Sequence, residues 1–446
     1  MRNFLTFISF IFFLVFGSLS FASAQDFQVG QSVILEAKKP IGVPLHREPS
    51  PSYLKHAPSG TTAIIQRTAQ DGHWLSVQLA SGETHWVHKK YVQANTAAPT
   101  PILPSKPSPP KTPTGSKTTM GGEQDVWNSK NECQTALQKG LRMVESSSEK
   151  LRVATWNLRW FPVGAAPDQP EGSAEPTDLD WLICTLRWMQ VDILAIQESL
   201  ATPEATQAWK TLTNQLSKQT GDTWRWHRQP CGRPDDHHLG LLWNDSRVTL
   251  SKFDSLWQFN SKASSARNAC TSGLRPGQYA FVQSRQKDGA DFHLIAVHLK
   301  SGPTVFAVEQ RQKAFNRIDK AVAPLLKKDS DVVILGDFNT MGAGDRQSQK
   351  SELKYLRRFV RKEKPGFSDL PVDLQCSHYF RGQGGQLDHV LVANGMKEVA
   401  VESVQVTGYC ALAGCQRIRG DYPLAYRRLS DHCPVVLEIA NNDDDD

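Results

Sequence analysis

Polar groups able to do chemistry recur at five places in the chain, each at the end of a short apolar run rich in β-branched residues. These are Thr155-Trp156-Asn157, Gln197-Glu198, Val297-His298-Leu299, Gly336-Asp337-Phe338-Asn339 and Ser430-Asp431-His432. Such runs read as buried strands, so the polar groups fall at strand ends. Delivered to one place, an amide, carboxylates and imidazoles make a metal-and-histidine site of the kind that hydrolyses phosphate esters. A cation and an imidazolium neutralise the charge that builds on phosphate oxygens, and a carboxylate aligns the attacking water. An oxygen-rich site suits a hard cation, magnesium first, with manganese or calcium as alternatives.

Taken singly, the signals differ in weight. Glu198 closes the run Asp192-Ile193-Leu194-Ala195-Ile196, where a carboxylate is costly unless it is paired or binds a cation. A salt bridge at a strand end explains it equally well. Asn157 can orient a carboxylate, a phosphate or a metal-bound water, although Asn commonly ends strands. Asp337 and Asn339 flank Phe338, so strand alternation puts the acid and the amide on one side and the ring on the other. Gly336 permits close backbone approach. Asp431 and His432 precede Pro434, and a bend there brings both to the site. Asp388-His389 opens the run Val390-Leu391-Val392, and His298 closes Phe292 to Val297. A lone histidine on an apolar run is more often a satisfied core residue. Two with available carboxylates point to acid–base work.

The elements that must position these groups come next. Residues 150–441 alternate strand and helix signals, the layering of a single α/β domain. Thr177 and Asp180 predict a capping box that opens a helix running to Met189, and Val308 to Leu326 reads as an amphipathic run. Residues 124–149 predict one connecting helix. Residues 25–94 predict a small all-β module, with short strand candidates between turn signals. Residues 95–123 are a Pro-rich linker, and 442–446 an acidic tail. Residues 1–24 read as a signal peptide: Arg2, an apolar run from Phe4, then Ala22-Ser23-Ala24. The expected location is therefore periplasmic or extracellular, with no stable membrane span once the leader is cleaved. Eight cysteines in an exported chain permit disulfides. Cys410 and Cys415 are spaced to close a small loop, and Cys184 and Cys433 read as buried thiols. The formal charge of +6 fits a polyanionic partner without requiring one.

The ordered set Trp156-Asn157, Gln197-Glu198, His298, Gly336-Asp337-Phe338-Asn339, Leu387-Asp388-His389 and Ser430-Asp431-His432-Cys433-Pro434 resembles the endonuclease/exonuclease/phosphatase superfamily. It spans nearly the whole large domain. The resemblance implies a four-layer sandwich, two mostly antiparallel sheets flanked by helices. It implies that Glu198 binds a divalent cation, with Asn157 and Asp431 nearby. His432 would be a general base or phosphate-stabilising imidazole oriented by Asp388. Asp337 would position or deprotonate water, and Asn339 and His298 would hold the scissile phosphate. His298-Leu299-Lys300-Ser301-Gly302 resembles the matching loop of deoxyribonuclease I-like secreted nucleases. Arg275 stands near where those enzymes carry a phosphate-contacting arginine, in a segment whose spacing departs from theirs. A nucleic acid substrate follows, with a phospholipid head group as the alternative within the same chemistry, and a non-catalytic wall- or protein-binding scaffold as an alternative outside it. Gly72-His73-Trp74-Leu75-Ser76-Val77 through Trp86-Val87 resembles bacterial SH3-like barrels, which implies a peptide or cell-wall polymer as ligand of the small module.

Overall fold

A computed structural model describes residues 31–37, 43–46, 55–69, 73–79, 84–94, 122–145, 147–165, 174–361, 366–400 and 404–442. The expected leader, nearly all of the expected Pro-rich linker and the terminal aspartates lie outside the described residues. Two compact units make up the chain, Met1–Thr112 and Pro113–Asp446. No helix among the described residues is long and apolar enough to cross a membrane.

The first unit is built on an antiparallel sheet of five strands, in the order Thr84–His88, Trp74–Leu79, Thr61–Thr68, Ser32–Leu35 and Val92–Ala94. Alternation along the strands sends Val33, Leu35, Ala63, Ile65, Val77 and Val87 to a single small core. A pair of short strands, Val43–Leu45 and Lys55–Ala57, adds Val43, Leu45 and Ala57 to it.

In the second unit two six-stranded sheets carry the site. Across the first run Trp224–Arg228, His238–Asn244, Ile193–Ser199, Lys150–Phe161, Val435–Ala440 and Val404–Val406. Across the second run Val248–Leu256, Gly277–Ser284, Asp291–His298, Val332–Asp337, Asp388–Ala393 and Phe367–Asp369. Each sheet holds one parallel pair, Lys150–Phe161 with Ile193–Ser199 and Asp291–His298 with Val332–Asp337; all other pairs are antiparallel. The continuous apolar runs have a direct cause, since both faces of the central strands are buried. Phe292, Leu294 and Ala296 enter the large core shared with the first sheet. Their alternates Ile295 and Val297 enter a second core with Phe315, Ile318 and Leu356 from the covering helices. On the first sheet, Trp209 of helix Pro203–Thr220 stacks on Trp226 with ring centroids 5.3 Å apart. Trp224 is buried and Trp226 partly buried.

Several local expectations change. The helix Leu179–Met189 is capped by Asp178, whose side chain accepts from Trp181 N at 3.1 Å, one residue beyond Thr177. The connecting segment forms two short helices, Glu123–Asn128 and Lys130–Gln138, because Ser129 adopts an extended backbone and caps the second. The run from Val308 is likewise split, into Val305–Phe315 and Ile318–Val322. Cys184 and Cys433 are not thiols, and Cys410 does not close a loop with Cys415. The disulfides are Cys133–Cys184, Cys231–Cys270, Cys376–Cys415 and Cys410–Cys433.

Candidate active site

Strand register gathers the polar groups before any side chain is considered. In the second sheet His298 lies beside Asp337, and Asp337 lies opposite Asp388, so three strands present one row. In the first sheet Asn157 lies beside Gln197. Gln197 points into the core, where its amide donates to Thr155 Oγ1 at 3.0 Å. Glu198 turns out of that register through a left-handed backbone, φ 61°. An L residue held there costs roughly 1–2 kcal/mol. The offset is visible: Trp160 N and Asn157 Nδ2 each donate to the Glu198 carboxylate at 3.1 Å.

Asn157 joins the two sheets. Its Nδ2 donates to Glu198 Oε1 and to Asp337 Oδ2, both at 3.1 Å. Asp337 is fully buried and takes four further contacts, from three residues. Asn339 donates from its backbone to Oδ1 at 2.8 Å and from its side chain to Oδ2 at 3.0 Å. His298 Nε2 lies 3.4 Å and His432 Nε2 3.8 Å from the same Oδ2. Asn339 therefore does share the pocket with Asp337. It arrives by a tight turn with φ 53° rather than by strand alternation, a conformation Asn tolerates. Behind His432, Nδ1 meets Asp388 Oδ2 at 2.8 Å, and Ser377 Oγ donates to that same oxygen at 2.7 Å.

Asp431 stands slightly apart. Ser430 Oγ donates to the Asn157 carbonyl at 2.5 Å and to Asp431 Oδ1 at 3.3 Å, tying this turn to the centre. The second carboxylate oxygen faces His378 Nε2 at 3.7 Å.

Burial and charge set the protonation states. Burial pushes the Asp337 carboxyl up to about 7, with the positive His432 ring pulling the other way. Burial alone would depress His432, but Asp388 and Asp337 outweigh it and raise the ring to about 10. His298 goes the opposite way: burial, then the positive Arg275, hold it well below the ordinary imidazole value. Burial would raise Asp431, yet His378 and His432 keep it below the ordinary carboxylate value. One imidazole is thus charged and one neutral, on either side of one acid. This divergence is what separate acid and base roles require.

Two residues of the site lack the apolar-run signature. His237 stacks parallel to His298 at 6.0 Å and meets the Trp160 ring edge-on at 4.1 Å. Its Nδ1 lies 3.7 Å from Glu198 Oε1. His378 bridges backbone to His432, with ring centroids 4.4 Å apart. Arg275 reaches the same neighbourhood: its Nη2 donates to the Leu299 carbonyl at 3.3 Å, and the charges of Glu198 and Asp337 act on it. His389, by contrast, turns away from the site to Asp369 at 3.0 Å and Thr340 at 2.8 Å.

The residues fit a cation. Two acids, Glu198 and Asp337, converge on one amide, and both nitrogens of buried His298 lack a hydrogen-bond partner among the described residues. Glu198, His237 and His298 also offer donor atoms within 4.8 Å of one another.

Two layers of mixed sheet with an acid–imidazole site at their common edge define a phosphoesterase architecture. The Endonuclease/Exonuclease/phosphatase family model matches residues 154–432. The chain belongs to this family, and it is a phosphoric ester hydrolase. Solved structures resemble it at low identity. An endonuclease/exonuclease/phosphatase from Bacteroides vulgatus is 15% identical over 66% of this chain and 99% of that one, with a TM-score of 0.45. D. rerio TDP2 complexed with single strand DNA product is 16% identical over 65% and 98%, with a TM-score of 0.42. The 3'-5' exonuclease NExo from Neisseria meningitidis is 16% identical over 65% and 100%, with a TM-score of 0.42. None of the curated proteins matches the sequence.

Proposed function

We propose that the chain is an exported, divalent-metal-dependent phosphodiesterase that cleaves nucleic acid. The convergence on Asp337 carries this reading: Asn157, Asn339, His298 and His432 all address one buried carboxylate. Glu198 would hold the cation, with Asn157 and Asp431 completing its surroundings; bound there, magnesium supplies positive charge to the phosphate oxygens. Asp337, raised toward neutrality by burial, aligns water and takes its proton. The His432 imidazolium, steadied by Asp388, donates to a phosphate oxygen and gives its proton to the leaving oxygen as the ester P–O bond breaks, while His298 and Asn339 hold the phosphate in place. Export is supported by the leader-like start and by the pairing of all eight cysteines. The boundaries 25–94 and 150–441 and an SH3-like role for the first unit, with a peptide or wall polymer as ligand, belong to the same proposal. The net charge of +6 and the basic face of helix Arg346–Val360, with Lys350, Lys354 and Arg358, favour a polyanion.

One observation favours a phospholipid instead. Val305 and Phe306 are 67% and 51% exposed at the start of the helix that follows the His298 loop. Assay of plasmid DNA, RNA, sphingomyelin and a phosphomonoester, with magnesium and with chelator, separates the readings. Cleavage of DNA or RNA should need the metal and should fall by roughly 10²–10⁴-fold in Asp337→Asn and in His432→Ala. Lipid turnover without nucleic acid cleavage would overturn the substrate, and folded protein inert on all four would overturn the chemistry.

A further inference from the structure

We infer that Glu198, His237 and His298 form a nitrogen-rich cation seat that selects a zinc-class transition ion over magnesium. Glu198 Oε1 lies 3.7 Å from His237 Nδ1 and 3.8 Å from His298 Nε2, and all three donors fall within 4.8 Å of one another. An ion about 2.1 Å from each donor in tetrahedral geometry needs them roughly 3.4 Å apart, so two of the three separations are within a few tenths of an ångström of closing. His298 is 4% exposed, and its Nε2 has no hydrogen-bond partner among the described residues. A buried polar nitrogen left so is costly, and a bound cation removes the cost.

The surroundings orient the donors toward this point. Trp160 N holds Glu198 Oε2, while Oε1, which also accepts from Asn157 Nδ2, faces the two imidazoles. The Trp160 ring packs edge-on against His237 and fixes its plane, and His237 lies nearly parallel to His298, 14° apart. Two imidazoles and one carboxylate, with a fourth position open, are a donor set for zinc, cobalt or nickel. Magnesium prefers oxygen and sheds its waters reluctantly. The seat shares Glu198 with the oxygen-rich set proposed for magnesium and adds His237, which hydrolysis as described above does not use. It stands on its own donor geometry, whatever the substrate.

Cobalt titration of the full chain, stripped by chelator and returned to excess magnesium, tests the seat. One equivalent should give visible d–d absorption that zinc abolishes and further magnesium does not. His237→Gln keeps the side-chain volume beside Trp160 and should lose the absorption and more than about 10-fold of the cobalt affinity. Zinc-edge X-ray absorption of the unsubstituted protein should show two imidazole scatterers, a reading independent of whether any variant folds. An all-oxygen shell, or cobalt absorption unchanged in His237→Gln, would overturn the inference. Magnesium-dependent hydrolysis without a cobalt signal sinks the seat and spares the phosphodiesterase reading; a cobalt signal without hydrolysis does the reverse.

Discussion

Asp388 lies against His432, on the side of its Nδ1. The Asp388 Oδ2 receives His432 Nδ1 at 2.8 Å and Ser377 Oγ at 2.7 Å, so the ring plane is set from behind. The His432 ring is raised to about 10 against the pull of burial, and Asp388 is the strongest partner raising it. Removing that charge leaves burial less opposed, and the ring loses its proton at lower pH. In Asp388→Asn, an NMR titration of His432 in chelator-treated protein should therefore shift downward. The alkaline limb of the kcat/KM profile should move to lower pH with it, and kcat should fall by roughly 10²-fold or more. Equal profiles in the variant and the parent would assign Asp388 to packing alone. His298, buried and neutral, should show no such limb, because below its own low value it merely gains a charge that Arg275 disfavours.

At the scale of elements, the row His298–Asp337–Asp388 exists because the strand Val332–Asp337 can press close against its parallel neighbour. Gly336 makes this possible: its φ is 144°, and an added Cβ would stand 2.1 Å from the Val297 carbonyl oxygen. Gly336→Ala must push the two strands apart at the residues next to the site. A loss of about 3 kcal/mol in urea denaturation, together with lost activity, is expected. A chain of contacts, Arg357 to Asp369 at 2.7 Å, Asp369 to His389 at 3.0 Å and His389 to Thr340 at 2.8 Å, runs from a half-exposed guanidinium through a buried acid and imidazole to the turn carrying Asn339. Burial pushes the Asp369 carboxyl up, but His389 and then Arg357 outweigh it and hold it below its ordinary 3.8. A folded value below the unfolded one means that the stabilisation is present above pH 3.8 and is lost as pH falls through the folded value. Asp369→Asn should thus cost roughly 3–5 kcal/mol at pH 7, and the gap from the parent should narrow in acid. A constant gap from pH 7 to 3 would refute this account. The same elements explain what was legible in advance. Asn157, Glu198, His298 and Asp337 end apolar runs, and Asp388 and His432 precede them, so periodicity alone marked their strand ends. His237 and His378 flank strands too. His237 directly precedes His238, which pairs with Ser199, and His378 pairs with His432. Their place at the site depends on which strand neighbours which, and that ordering is a long-range choice that local pattern does not encode. The Asn339 turn and the Asp178 cap differ from expectation because side-chain to backbone bonds, from Asn339 N to Asp337 and from Trp181 N to Asp178, decided the local geometry.

At the scale of the whole molecule, every residue of the site belongs to the second unit, and so do all four disulfides. Two of these disulfides brace the site directly. Cys376–Cys415 fixes the residue before Ser377 and His378, and Cys410–Cys433 fixes the residue after His432. Each closes a loop whose cross-link is worth roughly 2–4 kcal/mol, so the second unit carries its own covalent restraints as well as its own cores. Among the described residues the first unit has a separate core of Val33, Leu35, Ile65, Val77 and their neighbours. A chain beginning at Pro113 should therefore fold in oxidising conditions and cleave a short soluble oligonucleotide with the parent's kcat/KM. If the first unit is a tether, the same truncation should lose retention on isolated cell-wall polymer while keeping hydrolysis intact. Loss of soluble-substrate cleavage in a truncated chain that retains its disulfides and its cooperative unfolding would show that the first unit takes part in catalysis, against the division of labour drawn from the separate cores.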